Sequence, residues 1–316
     1  MNLFKALGCL TLLGLTTMAS ATDVKVGTGS ESGNYYSMVK DIKAYCDDAL
    51  ENDAHLLPVK SDGSVENLLG MNSKQFSMGV VQEDVLQYFA KTEPRKVNGN
   101  RMKVIDGMHM ESLHLLIPKG YQPEGDDAGW KAMWSGLIKD EKPKPISLNL
   151  LKGQTVGSWG GSVISAKALS YFMGLNLNVV EIPADKRSNP NMPLVLVGGH
   201  PYKPVEQYLA SGKYHLVAID FAQLAGKAPF YIQSSVSYRV DGKIQSVPTF
   251  GVRALLIGKS FRKEERNANM VNLANCINDS LIDLADDPNT NPNWASVYEL
   301  EEAGEQTNWN YFSLSK

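Results

Sequence analysis

The sequence predicts an α/β fold with two lobes and a ligand cleft between them. Three observations lead there. Short apolar strands alternate with amphipathic helices, the order that builds mostly parallel sheets. The succession of strand, glycine- and serine-rich loop and helix start occurs at residues 24–42 and again at residues 151–175. Two apolar segments, residues 112–118 and 248–261, are placed to carry the chain from one half to the other and back.

The first element, VKVGTGSESGNYYSMVKDI, holds Gly27, Gly29 and Gly33 among Thr28, Ser30, Ser32 and Asn34. The first turn of a helix has amide groups without partners and the positive end of the helix dipole, so a loop feeding it is suited to an anion. The competing reading is an ordinary turn in which Ser32 or Asn34 caps the helix. A strand near residues 55–59 follows, then a turn at residues 62–64 whose Ser64 is placed to cap the next helix. Residues 78–81 form a buried strand, residues 82–84 its loop and residues 85–90 a helix. Three strand, loop and helix units thus set polar loops at the carboxyl ends of strands, where open parallel sheets hold ligands.

Residues 112–118 cross into the second lobe. The proline-, lysine- and glycine-rich stretch 120–145 reads as a surface excursion, with Trp130 and Trp134 in local packing in preference to a partner face. The opening pattern then returns: strand 154–156, the loop GSWGGS at residues 157–162, and a helix ended by Gly174. Strand 178–183, a turn at Gly199-His200-Pro201, a helix and a strand follow. Residues 248–261 return, a long helix spans 264 to about 285, and a tail rich in Trp and Asn closes the chain. The expected lobes are residues 22–115 with about 250–316, and about 116–249.

At the amino terminus Lys5, a short apolar run and Ala19-Ser20-Ala21 have the form of a signal peptide cut after Ala21. The run is too short to span a bilayer, so export to the periplasm is expected. Loss of residues 1–21 takes Lys5 away and moves the net charge from -3 to -4. Mixed charges of both signs exclude a nucleic-acid groove and a polybasic membrane face. Cys46 and Cys276 remain, an even count that permits one disulfide or two buried thiols.

Enzyme signatures fail. Ser32 stands where a dinucleotide loop needs its third glycine, and a phosphate-loop lysine is missing. Nothing completes a nucleophile elbow around Ser162. His55, His109, His114, His200 and His215 have no metal spacing, and His114 reads as a core residue. Residues 286–294 begin like a calcium loop, but Pro292 replaces its glycine. No catalytic residue, metal or cofactor is expected.

The chain resembles the TAXI class of TRAP-transporter solute-binding proteins, which have a two-lobed type II periplasmic-binding-protein fold. The resemblance rests on VGTGSESGNYYSM, DGSVENL, MGVVQEDVLQYFA, TVGSWGGSVISAKALSYFMGL, GHPYKPVEQYL and VPTFGVRALLI, in that order over nearly the whole mature chain. It implies that Thr28, Ser30, Tyr35, Ser61, Ser64, Gln82, Trp159, Gly161, Ser162 and Val163 line the cleft. It also implies a small carboxylate ligand such as glutamate, glutamine or a dicarboxylate, a TRAP membrane permease as partner, and a monomer. Ser162-Val163 stands where many relatives have Ser-Thr, and the excursion is longer than usual. A periplasmic sensor subunit is the alternative, since both uses need the same closure of the lobes.

Overall fold

The computed structural model describes residues 23–95, 97–122, 128–132, 145–224 and 226–312. The expected signal peptide lies outside the described residues, as do most of the 120–145 excursion and Trp134. Trp130 is described and buried; its indole N–H donates to the Leu150 carbonyl at 3.1 Å, and Tyr121 packs edge-on against it.

The first half is built on β1 (Val24–Gly27), β2 (Leu56–Val59) and β3 (Met78–Gln82), parallel and in the order β2-β1-β3. Each strand feeds a helix: α1 (Asn34–Cys46), α2 (Ser64–Ser73) and α3 (Glu83–Thr92). After β4 (Met102–Pro118), the second half repeats the plan with β5 (Thr155–Ser158), β6 (Asn178–Glu181) and β7 (Leu194–Gly198). These are parallel and ordered β7-β5-β6, with α4 (Ser162–Met173) after β5 and α5 (Lys203–Ala210) after β7. Strands β8 (Tyr214–Val217), β9 (Tyr231–Val240) and β10 (Lys243–Lys259) complete one ten-stranded sheet.

The sheet is mixed, not mostly parallel. The antiparallel part comes from β4 and β10, each 17 residues long and well beyond the segments the apolar pattern marks. Asp106, His109 and Glu111 interrupt that pattern in the first part of β4, so its strand character was hidden. The two strands pair with each other and then change partners. Up to Ser112, β4 lies against β10; from Ser112 onward it pairs with β7 and then β8. Strand β10 pairs with β9 up to Val252 and with β3 from Ala254. Ser112 and Val252 therefore mark where the backbone leaves one half for the other.

Two helix expectations are corrected. The long helix from 264 to about 285 is a short 3₁₀ turn, then α6 (Ala268–Asp279) and α7 (Leu281–Asp286). Ser280 separates α6 from α7 at φ -95°, ψ 2°; serine readily leaves helix interiors because its hydroxyl competes for backbone partners. The supposed tail contains α8 (Asn293–Glu302), anchored by fully buried Trp294, whose indole N–H donates to Asp41 Oδ2 at 3.0 Å. Cys46 on α1 is bonded to Cys276 on α6, with Cα atoms 5.8 Å apart. His114 is buried against the Tyr238 hydroxyl at 2.8 Å, and burial lowers its pKa to about 4. Among the described residues no helix is long and apolar enough to cross a membrane.

Candidate functional site

The loops that line the main cleft follow the carboxyl ends of strands. Residues 29–35 follow β1, residues 61–64 follow β2 and Gln82 ends β3, while residues 159–162 follow β5 and residues 198–204 follow β7. With Glu111 of β4 they enclose a cleft of about 670 Å³. Helices α1, α2, α4 and α5 all begin there, and the first amides of α1 and α2 have no carbonyl of their own helix to bind; at α4 Val163 and Ile164 donate to the Gly160 and Gly161 carbonyls, and at α5 Pro204 has no N–H and Val205 donates to the Tyr202 carbonyl. A larger hollow of about 930 Å³ lies beside the end of α3, Phe172 and Trp309. None of its lining residues belongs to the first turn of an α-helix, so it lacks the donors that the cleft offers.

The local sequence explains how the loops hold their shape. Gly33 donates its amide to the Ser30 carbonyl at 2.8 Å, and a Cβ there would stand 3.1 Å from Ser30 Oγ. Gly63, before α2, sits at φ 93°, and Gly160, before α4, at φ 56°; side chains rarely adopt that region. Neither Ser32 nor Asn34 caps α1, and Ser64 does not cap α2; the residues before these helices are Gly33 and Gly63. Ser64 is the first helical residue instead, and its hydroxyl accepts from the Gln82 amide at 3.0 Å. The expected loop at residues 82–84 is absent because β3 runs directly into α3.

The structure brings Ser30, Tyr35, Ser61, Ser64, Gln82, Trp159, Gly161 and Ser162 to the cleft. It does not bring Thr28 and Val163 there. Thr28 is fully buried, its hydroxyl donates to the Val59 carbonyl at 2.7 Å, and its carbonyl accepts from Asn67 Nδ2 at 2.7 Å. It ties β1 to β2 and α2. Val163 is buried one step into α4. Ser162 lines the cleft, yet its hydroxyl donates to the Val197 carbonyl at 3.1 Å and accepts the Val197 amide at 2.9 Å. It pins α4 to β7, so any ligand contact here falls to backbone amides.

Asn34 of the first loop lines the cleft as well, and sequence reasoning missed Glu111, Gly198, Gly199, Tyr202 and Lys203, which also line it. The signal for the last four was present: β7, the turn and α5 repeat the strand, glycine and helix order of the other two loops. Glu111 gave no signal beyond an acid in an apolar strand. Its Oε2 accepts the Tyr35 hydroxyl at 3.0 Å, and its Oε1 lies 3.7 Å from His109 Nε2. Burial, then the Glu111 charge, raises the Tyr35 pKa well above 10.0 and so keeps the phenol a donor. Burial and Glu111 also raise the pKa of Tyr202 from the opposite wall.

Behind the cleft the halves meet through polar groups. Ser165 Oγ of α4 lies 3.4 Å from Gln82 Oε1, and Tyr231 of β9 points its hydroxyl at Asp84 Oδ2, 3.4 Å away. Burial raises Asp84 from 3.8 to about 7.

No protein-family model matches the sequence, and no curated protein matches it. Solved structures do resemble the fold at low identity. A protein from Bordetella bronchiseptica RB50 is 12% identical with a TM-score of 0.46, covering 92% of this chain and 85% of its own. YhfZ from Shigella flexneri is 9% identical with a TM-score of 0.45, covering 92% and 94%. DctP7, a Bordetella pertussis extracytoplasmic solute receptor binding pyroglutamic acid, is 9% identical with a TM-score of 0.44, covering 90% and 83%. With likenesses this distant, function is read from the cleft itself.

Proposed function

We propose that this protein is an extracytoplasmic solute-binding protein that captures a small carboxylate and presents it to a TRAP-type membrane permease. One observation carries the reading: four helix starts, two from each half, converge on one cleft that Glu111 of β4 lines, one residue from Ser112, where β4 changes partners. Amides of helix first turns, hydroxyls and Lys203 suit a carboxylate, while Tyr35, Trp159 and Tyr202 offer apolar faces for its stem. Two of the cleft hydroxyls that could serve as nucleophiles are otherwise engaged. The Ser162 hydroxyl is held by Val197, and Ser61 Oγ lies 3.0 Å from the Thr28 carbonyl and 2.7 Å from Asn67 Oδ1. Binding without turnover is the function such a site supports. The two halves act as lobes: ligand docks on one, β4 and β10 flex near Ser112 and Val252, and the other lobe's helix starts complete the site. The sequence motifs shared with the TAXI class support the permease partner.

The test is a thermal-shift screen of amino acids and dicarboxylates on the mature chain, followed by small-angle scattering on any stabilising compound. A ligand that binds only the folded state raises the apparent stability. The expected result is a shift with a carboxylate and a smaller radius when it is bound. An unchanged radius would sink closure, and shifts with neutral sugars alone would sink the carboxylate.

A further inference from the structure

The hollow beside the end of α3 differs from the cleft in what lines it. Its walls carry Lys91 and Lys227, the rings of Phe172, Phe230 and Trp309 and several side-chain amides, but no Asp or Glu. A second hollow of about 460 Å³ shares Asn98 and Asn100 with it and adds Arg101, Phe261 and Arg262, again with no acid. The two form one groove. In a chain with 34 acidic and 31 basic residues, a groove lined by four cations and no acid is a local reversal of charge. Among the described residues none of the four is in an ion pair, and Lys91, Lys227 and Arg262 are exposed.

The groove lies away from the cleft. Helix α4 begins in the cleft at Ser162, and Phe172 is about 15 Å further along its axis. One wall comes from α3 and Trp309 of the first half, the other from Phe172, Lys227 and Phe230 of the second. Phe230 is buried, and Phe172 stands edge-on to it with ring centroids 4.9 Å apart, so the pair offers a stacked base no flat face. Trp309 is half-buried and donates its indole N–H to the Met102 carbonyl at 2.9 Å; a Cβ on Gly99 would fall 3.3 Å from its ring. These rings are fixed seats for apolar side chains. Single cations spaced among such seats fit an occupant that mixes acidic with apolar side chains, whereas a uniform polyanion would leave the rings unused. The exposed amides of Asn98 and Asn100 can pair with the N–H and C=O groups of an extended backbone.

We propose that this groove docks an acidic, extended peptide segment of a partner protein, its Asp and Glu side chains meeting Lys91, Lys227, Arg101 and Arg262 and its apolar side chains seated against Phe172 and Trp309. The segment touches both halves at once. The assignment is independent of what the cleft holds.

The experiment is display selection of random peptides of about twelve residues, roughly 40 Å when extended, run in parallel on the protein and on its Lys91→Glu, Lys227→Glu double variant. Both lysines are exposed, so the variant should melt with the unaltered protein. Peptides selected on the protein should combine Asp or Glu with aromatic or aliphatic residues. Measured by fluorescence anisotropy as labelled free peptides, they should bind the double variant about tenfold or more weakly, and should lose affinity for the protein when NaCl is raised from about 50 to about 300 mM. Arg262→Glu should weaken the same peptides from the other end of the groove. Failure to enrich any peptide, enrichment of peptides without acids, or acidic peptides that bind both proteins alike overturns the assignment. Displacement of the peptides by an oligonucleotide or polyphosphate of equal affinity overturns the peptide as occupant. So does a dimer of the protein alone that the double variant dissociates, because a second copy then fills the groove.

Discussion

Gly199 stands so close to Asn34 across the cleft that a Cβ atom built on the glycine would lie 2.8 Å from Asn34 Nδ2. One residue follows β7 and the other begins α1, so the missing side chain sets how near the second half comes to the first. Asn34 Oδ1 accepts from Asn291 Nδ2 at 3.4 Å, a contact that opposes swinging the amide away.

Gly199→Ala should therefore weaken ligand binding about tenfold, with a loss of stability within roughly 1 kcal/mol, since its backbone is outside the region that demands glycine. In an Asn34→Ala background the same substitution should cost less, because the atom it strikes is gone. Titration of the four proteins with one ligand checks this. Additive losses would show that the contact does not limit closure.

The contribution of Asp84 and Glu83 to stability should fall as pH rises from about 4 to about 7, opposed by buried His114, whose pKa lowered to about 4 makes its own contribution rise between about 4 and 6.5. Asp84 is 1% exposed and burial raises it from 3.8 to about 7; Glu83 beside it goes from 4.5 to about 7 for the same reason. An acid with a raised pKa holds its proton more tightly in the folded chain. Between the unfolded and folded values the native state binds more protons, the slope of unfolding free energy with pH is negative, and above about 7 this contribution is spent. For Asp84 the range is roughly 4 kcal/mol at most. Asp84→Asn should flatten that slope in urea denaturation measured between pH 4.5 and 7.5; an unchanged slope rules Asp84 out as its source.

The protein should lose roughly 2–5 kcal/mol of stability on reduction or in the Cys46→Ser, Cys276→Ser double variant. The bridge closes a separation of 230 residues and ties α1, which begins at the cleft, to α6. Its removal frees the unfolded chain far more than it disturbs the cores around it. Denaturation with and without dithiothreitol measures the loss, and a change under 1 kcal/mol would place the stabilisation elsewhere.

Much of this architecture was legible because it is local. Strands β1, β2, β3, β5 and β6 and helices α1, α2 and α4 follow from apolar periodicity and glycine stops within a few residues. Gly174 ends α4 at φ 65°, as its position required. What escaped depends on distant partners. The first part of β4 admits Asp106 and Glu111 because Arg253 and Tyr35, far away in sequence, lie beside them. Thr28 and Ser162 had the composition of ligand contacts, but their hydroxyls turn to Val59 and Val197, a choice no loop pattern discloses. Ser280 breaks the last long helix where apolar spacing runs on without interruption.

Arg253 ties the crossing strand to the last helix, and its loss should be among the larger single effects. It is 1% exposed on β10, where Gly107 on β4 makes room: a Cβ there would fall 2.3 Å from the guanidinium carbon. The guanidinium donates to the Met108 carbonyl at 3.1 Å, to the Glu305 carbonyl and to Glu301 Oε1 at 2.6 Å. Arg253→Met keeps much of the volume but leaves two carbonyls and an acid without their donor. Breaking a fully buried pair costs about 3–5 kcal/mol, and Glu301 retains 29% exposure, so about 2–4 kcal/mol is expected. Glu301→Gln in the same chain should recover part of it by removing the stranded charge. Urea denaturation of the three proteins decides: if Arg253→Met costs under 1 kcal/mol, α8 is held to the crossing strands by Trp294 and its apolar neighbours alone.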